Sequence, residues 1–125
     1  TLHRLRRALG GAGAVVLSDR LLSLDAASIW VDLWALDDAI EAMATAGPGE
    51  LPAAVDALQE LYRGPLLPTV HDPRVGGARD RLRRRVDAAL AGACLRMERD
   101  AVRAVAMRAV AADPDLALTA ASAEL

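Results

Sequence analysis

Five arginines fall between positions 79 and 85, namely Arg79, Arg81, Arg83, Arg84 and Arg85, and three more, Arg4, Arg6 and Arg7, sit near the start of the chain. Guanidinium groups at that density suit phosphates or carboxylates, so the chemistry they suggest is recognition of nucleic acid or of an acidic partner. The plainer alternative for residues 79–85 is a solvated helix face, neutralised by the acids that precede it. Asp80 and Arg84 are spaced i, i+4 for a local pair. His3 and His71 have no partner at metal-ligand spacing, and Cys94 is the single cysteine. No disulfide can form within the chain, no metal or cofactor is expected, and the thiol reads as a small apolar group. Asp37 and Asp38 are adjacent, so on a helix they diverge by about 100°, which is poor for acid–base work on one substrate. The sequence "GGAG" (10–13) precedes a strand-like run rather than a helix and makes no phosphate loop. No enzyme is expected from these residues.

The charge is unevenly distributed. Residues 28–73 carry one arginine and eight acids, a net of −7, whereas residues 74–108 carry ten arginines and four acids, a net of +6. All fifteen basic residues are arginine, which GC-rich codon usage produces as readily as selection for guanidinium chemistry. The chain of 125 residues is 54% hydrophobic, largely through Ala, Leu and Val, and its aromatics are Trp30, Trp34 and Tyr62. Such a composition suits closely packed helices in one domain, with a fragment attached. No apolar run approaches the ~20 residues of a membrane span, and a lone cysteine is compatible with a reducing cytoplasm. The first residue is Thr, so the sequence reads as a piece of a longer protein.

These residues need elements to hold them. Leu2, Leu5 and Leu9 share one helical stripe, with the arginines off it, and Gly10-Gly11 ends the helix. In "AVVLSDRLLSLD" (14–25), a two-residue turn at Asp19-Arg20 puts Leu17 opposite Leu22 and Val15 opposite Leu24, making one apolar hairpin face. The turn departs from the favoured Asn-Gly or Asp-Gly. A helix over about 33–46 is expected from Leu33, Leu36, Ile40 and Met43, capped by Asp32 with Val31 and Leu36 as a staple. Trp30 and Trp34 are read as anchors of that helix to the hairpin, the alternative being stacking on a ligand.

The next helix is the best defined. Leu51, Ala54, Val55, Leu58, Leu61 and Tyr62 follow helical spacing, and Gly64-Pro65 stops it. Residues 66–71, "LLPTVH", cross as a packed apolar loop. Asp72-Pro73 opens a long helix with Val75, Ala78, Leu82, Val86, Ala89, Leu90 and Ala93 inward. Near residues 98–101 the chain either continues or turns, and a turn capped by Asp100 is favoured. Val102, Val105, Ala109 and Val110 mark a further helix, and "ADPDLA" (112–117) repeats the Asp-Pro start signal, with a last helix beginning in residues 118–125. Paired helices with tight turns suggest tetratricopeptide-like repeats, and a generic bundle is the simpler reading.

Taken together, these segments resemble the bacterial transcriptional activator domain found behind winged-helix DNA-binding domains. "LHRLRRALG" (2–10) is similar to the end of the winged-helix recognition helix and "AVVLSDRLLSLD" to its wing. "WVDLWALDDAI" (30–40), "AVDALQELYRGPLL" (54–67), "RDRLRRRVDAAL" (79–90) and "AVAADPDLA" (109–117) resemble successive parts of the activator domain. Leu61 through Leu67 carry the resemblance most specifically, although Tyr62 stands where the family more often has Trp.

The resemblance implies a mainly α chain. Residues 1–27 would be the C-terminal remnant of a winged helix, and residues 28–125 a tetratricopeptide-like activator domain, incomplete at its C-terminus. It implies a non-catalytic, cytoplasmic regulatory domain of a DNA-binding regulator. Arg4, Arg6 and Arg7 would contact nucleic acid in the parent protein. A winged helix needs preceding helices as a platform and no residues here supply them, so the alternative for this sequence is a remnant docked on the helical domain. Arg79, Arg83, Trp34 and Tyr62 are the residues expected to meet protein partners, other regulatory domains or a second copy in a homodimer. The competing readings are a standalone tetratricopeptide-like scaffold and a helical small-molecule sensor near Trp34 and Tyr62, neither binding DNA.

Overall fold

A computed structural model of the chain describes residues 1–116. The expectation of a last helix in residues 118–125 lies outside the described residues. Within them the protein is mainly helical, with one small antiparallel hairpin. The elements are α1 (Leu2–Ala8), β1 (Val15–Ser18), β2 (Leu21–Leu24), α2 (Asp32–Thr45), α3 (Leu51–Leu61), α4 (Pro73–Cys94) and α5 (Arg99–Ala112). Two compact units divide the chain, Thr1–Ala35 and Leu36–Leu125, with the division inside α2.

In the first unit, α1 ends because Gly10 adopts φ 89°. That left-handed residue lets the Gly11 amide donate to the Arg6 carbonyl (3.0 Å) and the Gly10 amide donate to the Arg7 carbonyl (3.3 Å). This pair of backward bonds is a Schellman motif, which satisfies carbonyls that the helix would otherwise leave open. The hairpin has the expected register, Val15 opposite Leu24 and Leu17 opposite Leu22. Its face is not covered, however. Val15 is buried, while Leu17, Leu22 and Leu24 are exposed, because a unit of this size has little mass to lay over them.

The turn places Asp19 at φ 50° and Arg20 at φ 66°, the signature of a type I′ turn. Arg20 occupies a conformation that glycine adopts without penalty and other residues at a cost of ~1 kcal/mol. Arg20→Gly is therefore expected to stabilise the hairpin by about 0.5–1 kcal/mol. Amide exchange of the β1–β2 ladder measures it, and unchanged or faster exchange contradicts the strain.

The second unit is built on one core. Leu36 and Met43 from α2, Leu51, Val55 and Leu58 from α3, Val86 and Leu90 from α4, and Val102 and Val105 from α5 are buried in it. α3 packs on both α4 and α5, and α4 packs on α5. Cys94 is buried in the same core, and its thiol is pushed up by that burial. α4 starts as expected: Pro73 lacks the amide hydrogen that a first helical turn cannot use, and the Asp72 carboxylate accepts from the Arg74 amide at 2.8 Å. Two caps differ from expectation. α2 begins one residue early, with the Val31 carbonyl accepting from Trp34 and Ala35, so Asp32 lies in the first turn and its carboxylate accepts from the Leu33 amide. The chain does turn after Cys94, but α5 starts at Arg99 on Glu98, which puts Asp100 inside the helix. There a negative charge suits the helix dipole instead of capping an amide.

Arg79 fixes the loop between α3 and α4. Its Nε donates to the Leu66 carbonyl (2.6 Å), and its Nη2 to the carbonyls of Leu67 and of Val70 (3.0 Å). Leu67 sits at φ 44°, so three bonds from one guanidinium hold a backbone that leucine disfavours.

Candidate functional site

Three places bring ionisable groups together. The first is α1 and the hairpin. Arg4 and Arg7 are exposed, while Arg6 turns inward and donates from Nε (3.0 Å) and Nη2 (2.9 Å) to the Val15 carbonyl. Arg6 therefore binds α1 to β1 and leaves Arg4 and Arg7 as the outward charges. Asp25 closes the base of the hairpin. Its amide donates to the Ala14 carbonyl, and its carboxylate accepts from Ser28 Oγ at 2.6 Å, which lowers its pKa below the ordinary range. Trp30 is 72% exposed and is not the packed anchor expected from the sequence; Trp34 is also at the surface. Trp30 precedes the helix between the half-buried Ile29 and Val31, on the opposite, exposed side of the chain.

The second is a buried polar cluster in the helical unit. The Asp113 side chain is 1% exposed. Its Oδ2 accepts from the Tyr62 hydroxyl (2.7 Å) and from Arg83 Nε (2.9 Å), and its Oδ1 accepts from the Asp115 amide (3.1 Å). Arg83 extends the cluster outward to Asp115 (3.3 Å) and Asp80 (3.5 Å). The Asp80–Arg84 pair expected from helical spacing gives way to Asp80–Arg83, one residue nearer, because Arg83 faces Asp113. Burial by itself pushes the Asp113 carboxyl up, but the hydrogen bonds from Arg83 and Tyr62 outweigh it and hold the group below the usual carboxylate range. Burial, and then the Asp113 carboxylate, push the Tyr62 phenol well above its ordinary value. An ionised carboxylate held by three donors has little capacity left for substrate. The cluster joins the end of α3, the middle of α4 and the exit of α5.

Tyr62, Arg79 and Arg83, three of the residues singled out for partner contact, are thus bonded to their own chain, and Trp34 is the one left at the surface. Sequence reasoning missed Asp113, which it took only as a start signal before Pro114. A Tyr in an apolar stripe was the available cue, since a buried phenol finds a polar partner.

The third place is a groove of about 520 Å³ between α2 and α4. Ile40 and Met43 form one wall and Ala88, Ala89 and Gly92 the other, whose small side chains leave the space unfilled. An arginine closes each end, Arg85 on α4 and Arg96 in the turn after α4. Arg85 pairs with Asp37 at 2.7 Å, and Arg96 donates to the carbonyls of Met43 (3.3 Å) and Ala46. The second arrangement places a cation at the C-terminus of α2, where carbonyls and helix dipole favour it.

Among the described residues, no group of three or more His, Cys, Asp or Glu side chains is placed to hold a metal ion, and no helix is long and apolar enough to cross a membrane. Compared with protein-family models, with curated proteins and with solved structures, the chain matches none.

Proposed function

We propose that this chain belongs to a DNA-binding transcription regulator. In this reading the first unit lies against the duplex and the helical unit is a non-catalytic body that meets protein partners. The observation that carries it is the order of the first unit. A short helix with Arg4 and Arg7 outward passes through a Schellman turn into a two-stranded hairpin whose tip carries Arg20. That order fits a recognition helix followed by its wing, and exposed arginines on both elements suit contact with phosphates. Arg6 is then a positioning residue, since its bond to Val15 fixes the angle between helix and hairpin. The buried Asp113 cluster supports a structural, non-catalytic second unit, because it closes the helices on one another and presents no reactive group.

The test is the salt dependence of binding to a short duplex, followed by fluorescence anisotropy. The chain is expected to bind weakly and without sequence preference, with Kd on the order of 10⁻⁴–10⁻⁶ M at physiological salt. Replacing Arg4 and Arg7 together by Gln is expected to reduce the slope of log K against log salt by about 1.8, at ~0.9 for each phosphate no longer neutralised. An unchanged slope, or no binding at low salt, overturns the reading.

A further inference from the structure

We propose that the groove between α2 and α4 binds an anionic acyl amphiphile, its apolar tail lying over Ala88 and Gly92 against Ile40 and Met43 and its carboxylate meeting Arg96. This site is independent of the DNA-contacting role proposed for the first unit. Its volume of about 520 Å³ falls within the roughly 300–1,000 Å³ of small-molecule sites. A protein partner needs roughly 20–30 residues on each side, whereas nine line this groove.

The two charged residues that line the groove are both arginines, Arg85 and Arg96, and they are not equivalent. Arg85 already has the Asp37 carboxylate at 2.7 Å. Arg96 donates only to neutral backbone carbonyls and has no carboxylate within ion-pair distance among the described residues. Its cation and remaining N–H donors are therefore free to take a carboxylate, and the head group belongs at that end. From Arg85 to Cys94, the last residue of α4, is nine residues or about 13.5 Å at ~1.5 Å per residue, and Arg96 stands two residues further on in the turn that follows. That length accommodates a medium-chain acyl tail.

Gly92 supplies the decisive variant. A Cβ added there meets nothing within 4 Å, and Gly92 lines the groove, so a larger side chain has room to occupy part of it. Replacing a helical glycine also favours the helix. The experiment is calorimetric titration of the full chain with dodecanoate below its micelle concentration, and with dodecanol as its neutral counterpart. One saturable site is expected, preferring dodecanoate at least tenfold. Gly92→Leu should weaken binding of dodecanoate at least tenfold while melting no lower than the parent. Arg96→Gln should remove the preference for the carboxylate, and Arg84→Gln, an exposed change outside the groove, should leave it intact. The proposal is overturned by the absence of saturable binding, by equal affinity for dodecanol, or by a Gly92→Leu protein that binds normally. It is also overturned if light scattering shows a dimer that Gly92→Leu dissociates, since a second copy would then occupy the groove.

Discussion

Asp113→Ala is expected to destabilise the helical unit by about 3 kcal/mol, the low end for breaking a buried ion pair by removing one partner. The low end applies because the Arg83 side chain is 20% exposed and can recover some hydration, with Asp80 and Asp115 still nearby. The Tyr62 hydroxyl has no such recourse: it would be left in the core as an unpaired donor. For a domain of this size the loss corresponds to a fall in Tm of roughly 10–20 °C. Tyr62→Phe, which leaves Asp113 with Arg83 and the Asp115 amide, should cost only about 1 kcal/mol.

The same group sets a pH dependence whose sign is fixed. The Asp113 carboxyl titrates below its ordinary value in the folded protein, so the unfolded chain takes up the proton first. Its contribution is fully present above the unfolded value of ~3.9 and is lost as pH falls through the lower, folded value. Urea unfolding followed by circular dichroism at pH 7 and at pH 3 checks both points. The gap between parent and Asp113→Ala should narrow at the acid end. A variant as stable as the parent at pH 7, or a gap that widens on acidification, contradicts the account.

The contrast between Asp113 and α3 shows what the sequence made legible. The spacing of Leu51, Val55 and Leu58, closed by Gly64-Pro65, specifies a helix by local rules, and the helix forms there. The start of α4 at Asp72-Pro73 and the register of Val15 with Leu24 are equally local. Tyr62 and Asp113 are 51 residues apart, and their hydrogen bond follows from the packing of three helices, which no periodicity encodes. Nor could spacing reveal the α2–α4 groove. Ala89 and Ala93 read as core positions, but methyl groups opposite Ile40 and Met43 do not fill the gap that larger side chains would close. Asp32 and Asp100 show the remaining kind of difference, helix starts displaced by one or two residues, where competing caps are close in energy.

Leu58→Ala is the second large effect. Leu58 is 0% exposed and stands on α3, the helix that packs on both α4 and α5. Truncation loses the transfer free energy of the side chain and adds a cavity that the surrounding helices only partly close, in total about 3 kcal/mol. A feature beside it moderates the cost. Leu58 lines a void of about 40 Å³ with Gln59, whose buried Oε1 has no hydrogen-bond partner among the described residues. Enlarging that void, which Gln59 and Arg108 both line, gives water room and more than one polar neighbour. The loss should therefore fall short of the ~5 kcal/mol seen for the driest sites. Leu58→Met, which nearly conserves volume, should cost less than about 1.5 kcal/mol. Leu22→Ser removes an aliphatic side chain too, but one that is 57% exposed on the hairpin, and should stay within about 0.5 kcal/mol. Denaturant unfolding of the three variants in one series makes the comparison. If Leu22→Ser proves as costly as Leu58→Ala, the hairpin face is covered in solution, and the division between a packed core and an open apolar face fails.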